Sequence, residues 1–174
     1  IYGDLDMSVI DELPPGRKKV TTKLIDSKKG RKKTYQFIKK EVDQGRQAFI
    51  ICPRIEPGDE DNNWSDVKAV EEEYEKLNED VFPELEIGKL HGDLKNSEKE
   101  KVMKKFKKGK IDIVVSTSVV EVGVDVPNAT VMMIEGAERF GLAQLHQFRG
   151  RVGRAEHKSY CFLFTTSSNE KTKK

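Results

Sequence analysis

A chain of 174 residues is long enough to form one domain with a real core. Charged residues make up 36% of it, but 32 lysines and arginines against 30 aspartates and glutamates leave a net charge of only +2. That excludes a uniformly basic nucleic-acid coat while permitting a local basic surface. No apolar run approaches the roughly 20 residues needed to span a bilayer, and no signal-peptide pattern opens the chain. Cys52 and Cys161 stand singly inside apolar runs, and the three histidines are scattered, so no metal site is expected. The two thiols read as buried and reduced in a cytosolic protein. The lysine and glutamate richness fits a heat-loving source and a biased genome equally well.

Residues 1–17 end in Leu13-Pro14-Pro15-Gly16, which breaks regular structure, and read as a linker or the remnant of a preceding domain. A strand is predicted at 20–25. A helix follows over 31–43, with Tyr35, Ile38 and Val42 on one stripe and Gly45 as its stop. Residues 47–52 form a compact apolar strand ended by Pro53. Residues 56–63, acidic and carrying Pro57 and Gly58, read as a mobile surface loop. A helix over 65–78 carries Val67, Val70, Tyr74 and Leu77 at helical spacing, with Glu71, Glu72 and Glu73 as its solvated face. After a strand at 86–90, Ser97 and Glu100 have the spacing of a capping box. The helix they open buries Val102, Met103 and Phe106 and ends at Gly109. Strands at 112–116 and 130–134, a helix over 142–151 and a strand at 160–165 complete the domain, 18–165. Residues 166–174 form a flexible polar tail. Strands alternating with helices predict an α/β fold, a parallel sheet covered by helices on both faces. Ligands of such sheets bind at the carboxyl ends of the strands.

Two segments carry chemistry. In Gln147-Phe148-Arg149-Gly150-Arg151-Val152-Gly153-Arg154, the three-residue spacing puts Arg151 and Arg154 on one face if the helix continues. Two planar guanidinium forks aimed alike suit a triphosphate; an arginine-rich helix end that binds nothing has the same spacing. The second segment runs from Ser116 to Pro127. There Ser116 and Thr117 follow an apolar strand, where hydroxyls and a helix N-terminus can grip a backbone phosphate. Gly123 permits a close turn. Asp125 offers a carboxylate to a ribose hydroxyl, or simply stabilises a turn.

The run from Ile113 to Arg154 resembles motifs V and VI of the superfamily 2 helicases. More narrowly, EVGVDVPN (Glu121 to Asn128), RFGLAQLHQFRGRVGR (Arg139 to Arg154) and YGDLDMSVIDELPPGR (Tyr2 to Arg17) resemble the RecG branched-DNA helicases. The resemblance extends to about Phe164 and implies a RecA-like fold, that of a helicase C-terminal motor domain. It implies that Arg151 and Arg154 act as arginine fingers on the terminal phosphates of ATP, with Gln147 beside them. Gly123 and Asp125 approach the nucleotide. Ser116 and Thr117 contact the DNA backbone, His91-Gly92 line the DNA track, and Cys52-Pro53-Arg54 match motif IV. His91 taken alone reads equally as a packed histidine.

Val122 before the motif V glycine and Gln147 at the start of motif VI depart from the RNA-remodelling DEAD-box pattern. The transcription-repair coupling translocases share GLAQLHQ and RGRVGR but not the DELPPGR lead-in. No Gly-Lys-Ser or Gly-Lys-Thr phosphate loop occurs, and Val9-Ile10-Asp11-Glu12, which imitates a Mg²⁺-binding segment, is read as linker. By the family's pattern the chain is a fragment, inactive alone. ATP and Mg²⁺ are held mainly by an absent first RecA-like domain of the same protein. The implied whole is a monomeric, bacterial, cytoplasmic and nucleoid-associated enzyme that remodels forks and Holliday junctions in repair and recombination, without a membrane. The rivals are a coupling translocase and a stand-alone nucleic-acid-binding module. A dinucleotide enzyme is disfavoured because no G-x-G-x-x-G follows a strand.

Overall fold

The computed structural model describes residues 19–54, 62–117, 126–153 and 156–165. The 1–17 segment, most of the acidic loop, the tail, Gly123, Asp125 and Arg154 lie outside the described residues. In chain order the elements are β1 (Thr21–Ile25), α1 (Lys28–Asp43), β2 (Gln47–Ile51), α2 (Asn62–Lys76), β3 (Ile87–Leu90), α3 (Asn96–Lys107), β4 (Ile113–Ser116), β5 (Ala129–Ile134), α4 (Leu142–Arg149) and β6 (Tyr160–Phe164).

The six described strands form one parallel sheet in the order β1-β6-β5-β2-β4-β3. Parallel strands covered on both faces carry continuous apolar runs rather than alternating ones. Accordingly β2, β4 and β5 are buried at every position, whereas edge strand β1 is not. One core layer packs Met103 and Phe106 of α3 and Leu145 and Phe148 of α4 against Phe49, Val114 and Met132. The other packs Ile38 and Val42 of α1 and Val70 of α2 against Ile50, Val115 and Met133. Each such large side chain, once buried, contributes about 1.5–3 kcal/mol. The α3 side is tied to the sheet's amino edge by Gln47 of β2, whose buried amide donates to the carbonyls of Phe106 (2.5 Å) and Ile111 (2.7 Å).

Several boundaries differ from the sequence reading. Helix α1 starts at Lys28 because Ser27 accepts the Gly30 N–H (3.0 Å), and it stops before Gly45, whose φ of 84° only glycine adopts freely. Asn62 and Asn63, expected in the loop, already belong to α2. The α3 cap is Lys95 with Glu98, not Ser97 with Glu100: the Lys95 N–H donates to the Glu98 carboxylate (2.8 Å), and Ser97 is inside the helix. Helix α4 ends at Arg149, two residues short of the prediction, where Gly150 forms the cap and Gly153 turns left-handed at φ 78°. Both cysteines are free and buried, as expected.

Candidate functional site

The parallel register aligns the carboxyl ends of three neighbouring strands. Ser116 stands opposite both Ile51 of β2 and Leu90 of β3, and the Cys52 N–H donates to the Ser116 carbonyl (2.9 Å). The residues that follow, Cys52-Pro53-Arg54, Thr117 and His91-Gly92, therefore share one edge of the sheet. Among them Arg54, Thr117, His91 and Gly92, with Ser116 itself, are the residues assigned from the sequence to DNA, gathered from segments up to about sixty positions apart.

Their exposure differs. Arg54 and Gly92 are open to solvent, whereas Ser116 (3% exposed) and Thr117 (7%) are nearly covered. The helix expected after Thr117 falls outside the described residues. The His91 side chain is 9% exposed. Its Nε2 lies 3.8 Å from Glu71 of α2, and its Nδ1 is buried without a hydrogen bond. Glu71 also holds Lys89 (2.7 Å), which lies over the Tyr74 ring. The imidazole is thus turned inward, and Gly92 is the solvent-facing half of the pair.

The nucleotide set sits elsewhere. Gln147 is exposed on the last turn of α4, and Arg151 is half-buried in the bend beyond it, its N–H bonded to the Phe148 carbonyl (3.0 Å). Because α4 has ended, Arg151 is presented by a Gly150-to-Gly153 turn and not by a helical face. Arg154 and the motif V pair Gly123 and Asp125 fall outside the described residues.

Sequence reasoning missed a polar cluster on the α1–α2 side. Arg31 of α1 grips Glu135, just after β5, with two hydrogen bonds (2.6 and 2.8 Å), and its guanidinium stacks over Phe164 at 4.5 Å. The Glu135 carboxylate holds this guanidinium well above its ordinary range, against the pull of partial burial. Glu73, expected on a solvated face, is instead buried. Burial pushes its carboxyl up, and half-exposed Lys76 at 3.7 Å only partly offsets that. Burial works to lower the Lys76 ammonium, but Glu73 and Tyr35 outweigh it and the net shift is upward. The Glu73 Oε1 and Tyr35 hydroxyl lack well-formed hydrogen bonds. For Glu73 a signal existed: it stands three residues after Val70 and four before Leu77, on the apolar stripe.

The arm from Glu135 to α4 turns at Gly136, which has φ 57° and packs against Pro53; a Cβ there would lie 2.9 Å from the proline ring. Arg31 thereby anchors the root of the segment that carries Gln147 and Arg151. No helix among the described residues is long and apolar enough to cross a membrane.

An all-parallel sheet with motif residues on its carboxyl edge and a Gly-Arg turn after its last helix defines the class. The chain belongs to the helicase conserved C-terminal domain family, which residues 29–156 match. Its relatives narrow this further. It is 54% identical over 169 residues to the ATP-dependent DNA helicase RecG of Synechocystis sp., covering 97% of this chain and 20% of that protein. It is 54% identical over 162 residues to the RecG of Thermotoga maritima, covering 93% and 20%. A RecG solved bound to a three-way DNA junction matches with a TM-score of 0.71 at 48% identity, covering 98% of this chain and 21% of that one. The resemblance to RecG-type helicases read from motifs V and VI therefore holds across nearly the whole chain, and the fold is RecA-like as expected. The chain spans about a fifth of the length of these relatives.

Proposed function

We propose that the chain, residues 18–165 above all, is the second motor domain of an ATP-dependent DNA helicase or translocase that remodels branched DNA in repair and recombination. The observation that carries this is the convergence of Arg54, Thr117 and Gly92 on the carboxyl ends of β2, β4 and β3. Such an edge, with Ser116 beneath it and His91 behind it, suits a nucleic-acid backbone. A first RecA-like domain of the same protein supplies the phosphate loop and most of the Mg²⁺ coordination. Gly123 and Asp125 approach the nucleotide from this half. Arg151 and Arg154, with Gln147 beside them, meet the triphosphate across the cleft, where guanidinium groups stabilise charge spreading over the transferring phosphoryl group. Residues 1–17 serve as the interdomain linker. The working enzyme is a monomer associated with the bacterial nucleoid.

The test is made in the full-length protein. Arg154→Ala lowers kcat by at least about 10³ while ATP affinity changes much less, because the fingers act where charge develops. Arg154→Lys fails nearly as badly, since an ammonium lacks the planar fork. DNA affinity without nucleotide survives both changes. Near-normal turnover by Arg154→Ala, or DNA-stimulated turnover by this chain alone, overturns the half-site reading.

A further inference from the structure

The charge of this chain is unevenly placed. Between Lys95 and Lys110 there are eight lysines and two glutamates, a surplus of six positive charges in a chain whose net charge is +2. The remaining residues together are therefore net negative by four. Within the segment, α3 turns Met103 and Phe106 into the core, and Lys101, Lys104, Lys105 and Lys108 are all exposed. Their spacing is i, i+3, i+4, i+7, so they form one stripe opposite the buried face.

Local structure does not account for this stripe. The helix dipole favours cations in the last turn only, which covers Lys104, Lys105 and Lys107 but not Lys101 in the middle of the helix. Like charges three and four residues apart cost a few tenths of a kcal/mol per pair (about 0.2–0.5). Four lysines elsewhere do meet carboxylates: Lys39 pairs with Glu84, Lys68 with Glu72, Lys76 with Glu73 and Lys89 with Glu71. None of the four stripe lysines joins an ion pair among the described residues. Helix α3 also packs beside β3, the outermost strand, and starts only a few residues after Gly92 on the candidate DNA edge.

We propose that the α3 lysine stripe is a docking surface for the phosphate backbone of duplex DNA, extending the contact begun at Gly92 and Thr117. This rests on the DNA-motor reading above. From Lys101 to Lys108 the stripe is about 10 Å long at a rise of about 1.5 Å per residue. Over that length a DNA strand presents about three phosphates, one per roughly 3.4 Å of axis. Four ammonium groups thus face about three phosphates, a polyanion match that a folded acidic protein surface does not offer at that density. The stripe reads no sequence. It holds a duplex arm against the motor by counterion release.

The experiment measures affinity of the intact chain for a blunt duplex of random sequence, by fluorescence anisotropy across a salt series. The variant carries Lys101→Gln, Lys104→Gln, Lys105→Gln and Lys108→Gln; circular dichroism and melting verify its fold. The slope of log K against log salt should fall by about 2–3, since each lost phosphate contact removes about 0.9. The fourfold Lys→Arg version keeps the slope. A control changes Lys28, Lys29, Lys32 and Lys33 of α1 to Gln; these are equally basic but start behind β1, at the other end of the sheet, and should change the slope by under about 1. Equal losses from the α1 and α3 variants overturn the proposal, as does a loss seen with single-stranded but not duplex DNA. If the α3 variant binds normally while Thr117→Val weakens binding, the stripe assignment fails and the DNA reading stands. If the unmodified chain binds no duplex even at low salt, both fail together.

Discussion

Replacing Arg31 with Met keeps most of the side-chain stem against Phe164 and removes the guanidinium that Glu135 accepts from twice. The Glu135 side chain, 14% exposed beside Arg31, then loses its cation, with Glu73 close enough to act on the same cluster electrostatically. Removing one member of a fully buried pair costs about 3–5 kcal/mol, because the other charge is stranded. Here the Arg31 side chain is 26% exposed, so water enters the gap; a loss of about 2–3 kcal/mol is expected. For a domain of this size each kcal/mol shifts Tm by about 2–4 °C, so Arg31→Met should melt about 4–12 °C lower. The double variant Arg31→Met, Glu135→Leu strands no charge and should recover at least about half of that loss. Thermal melts of both single variants and the double give the coupling directly. Additive losses, or a drop of under about 1 °C for Arg31→Met, would refute the view that this pair anchors the arm leading to α4.

Glu73→Gln should stabilise the protein at neutral pH. Burial raises the folded carboxyl above its unfolded value, so the native state holds the proton longer, and stability falls as pH rises from the ordinary glutamate range through the raised one. Melts across pH should show the Gln variant's advantage at pH 7 shrinking to nothing in acid; an advantage independent of pH would point to packing instead. Gly136→Ala should cost about 1–3 kcal/mol, because its φ of 57° disfavours a Cβ and Pro53 stands 2.9 Å from where it would lie. A urea midpoint unchanged from the parent would contradict that.

The sheet was readable because parallel strands buried on both faces are plain apolar runs: Phe49 to Ile51, Ile113 to Val115 and Val131 to Ile134 announce themselves. Helix ends were less so. Ser97-Glu100 and Lys95-Glu98 have the same spacing, and the choice is made by the turn before the helix, where the Leu94 N–H reaches the His91 carbonyl (3.3 Å) and starts α3 early. At the end of α4, two glycines withdrew the helical face on which the spacing of Arg151 and Arg154 had been read. Arg31 and Glu135 meet across 104 residues and leave no trace in local sequence. His91 was legible as a position on the edge; its inward orientation depends on Glu71 of another helix.

Strand order has a mechanical consequence. β1 and β6, the first and last described strands, lie side by side and parallel, in register from Thr21 with Tyr160 to Ile25 with Phe164. Tension entering at the start of β1 and leaving at the end of β6 therefore pulls the two strands past each other along their length. Every hydrogen bond between them, bracketed by Thr21 N to Ser159 O and Thr165 N to Ile25 O at 3.0 Å each, is loaded at once and in shear. An antiparallel hairpin pulled from its two free ends would open one bond at a time. A domain wired in this way passes a pull from one end to the other without unzipping.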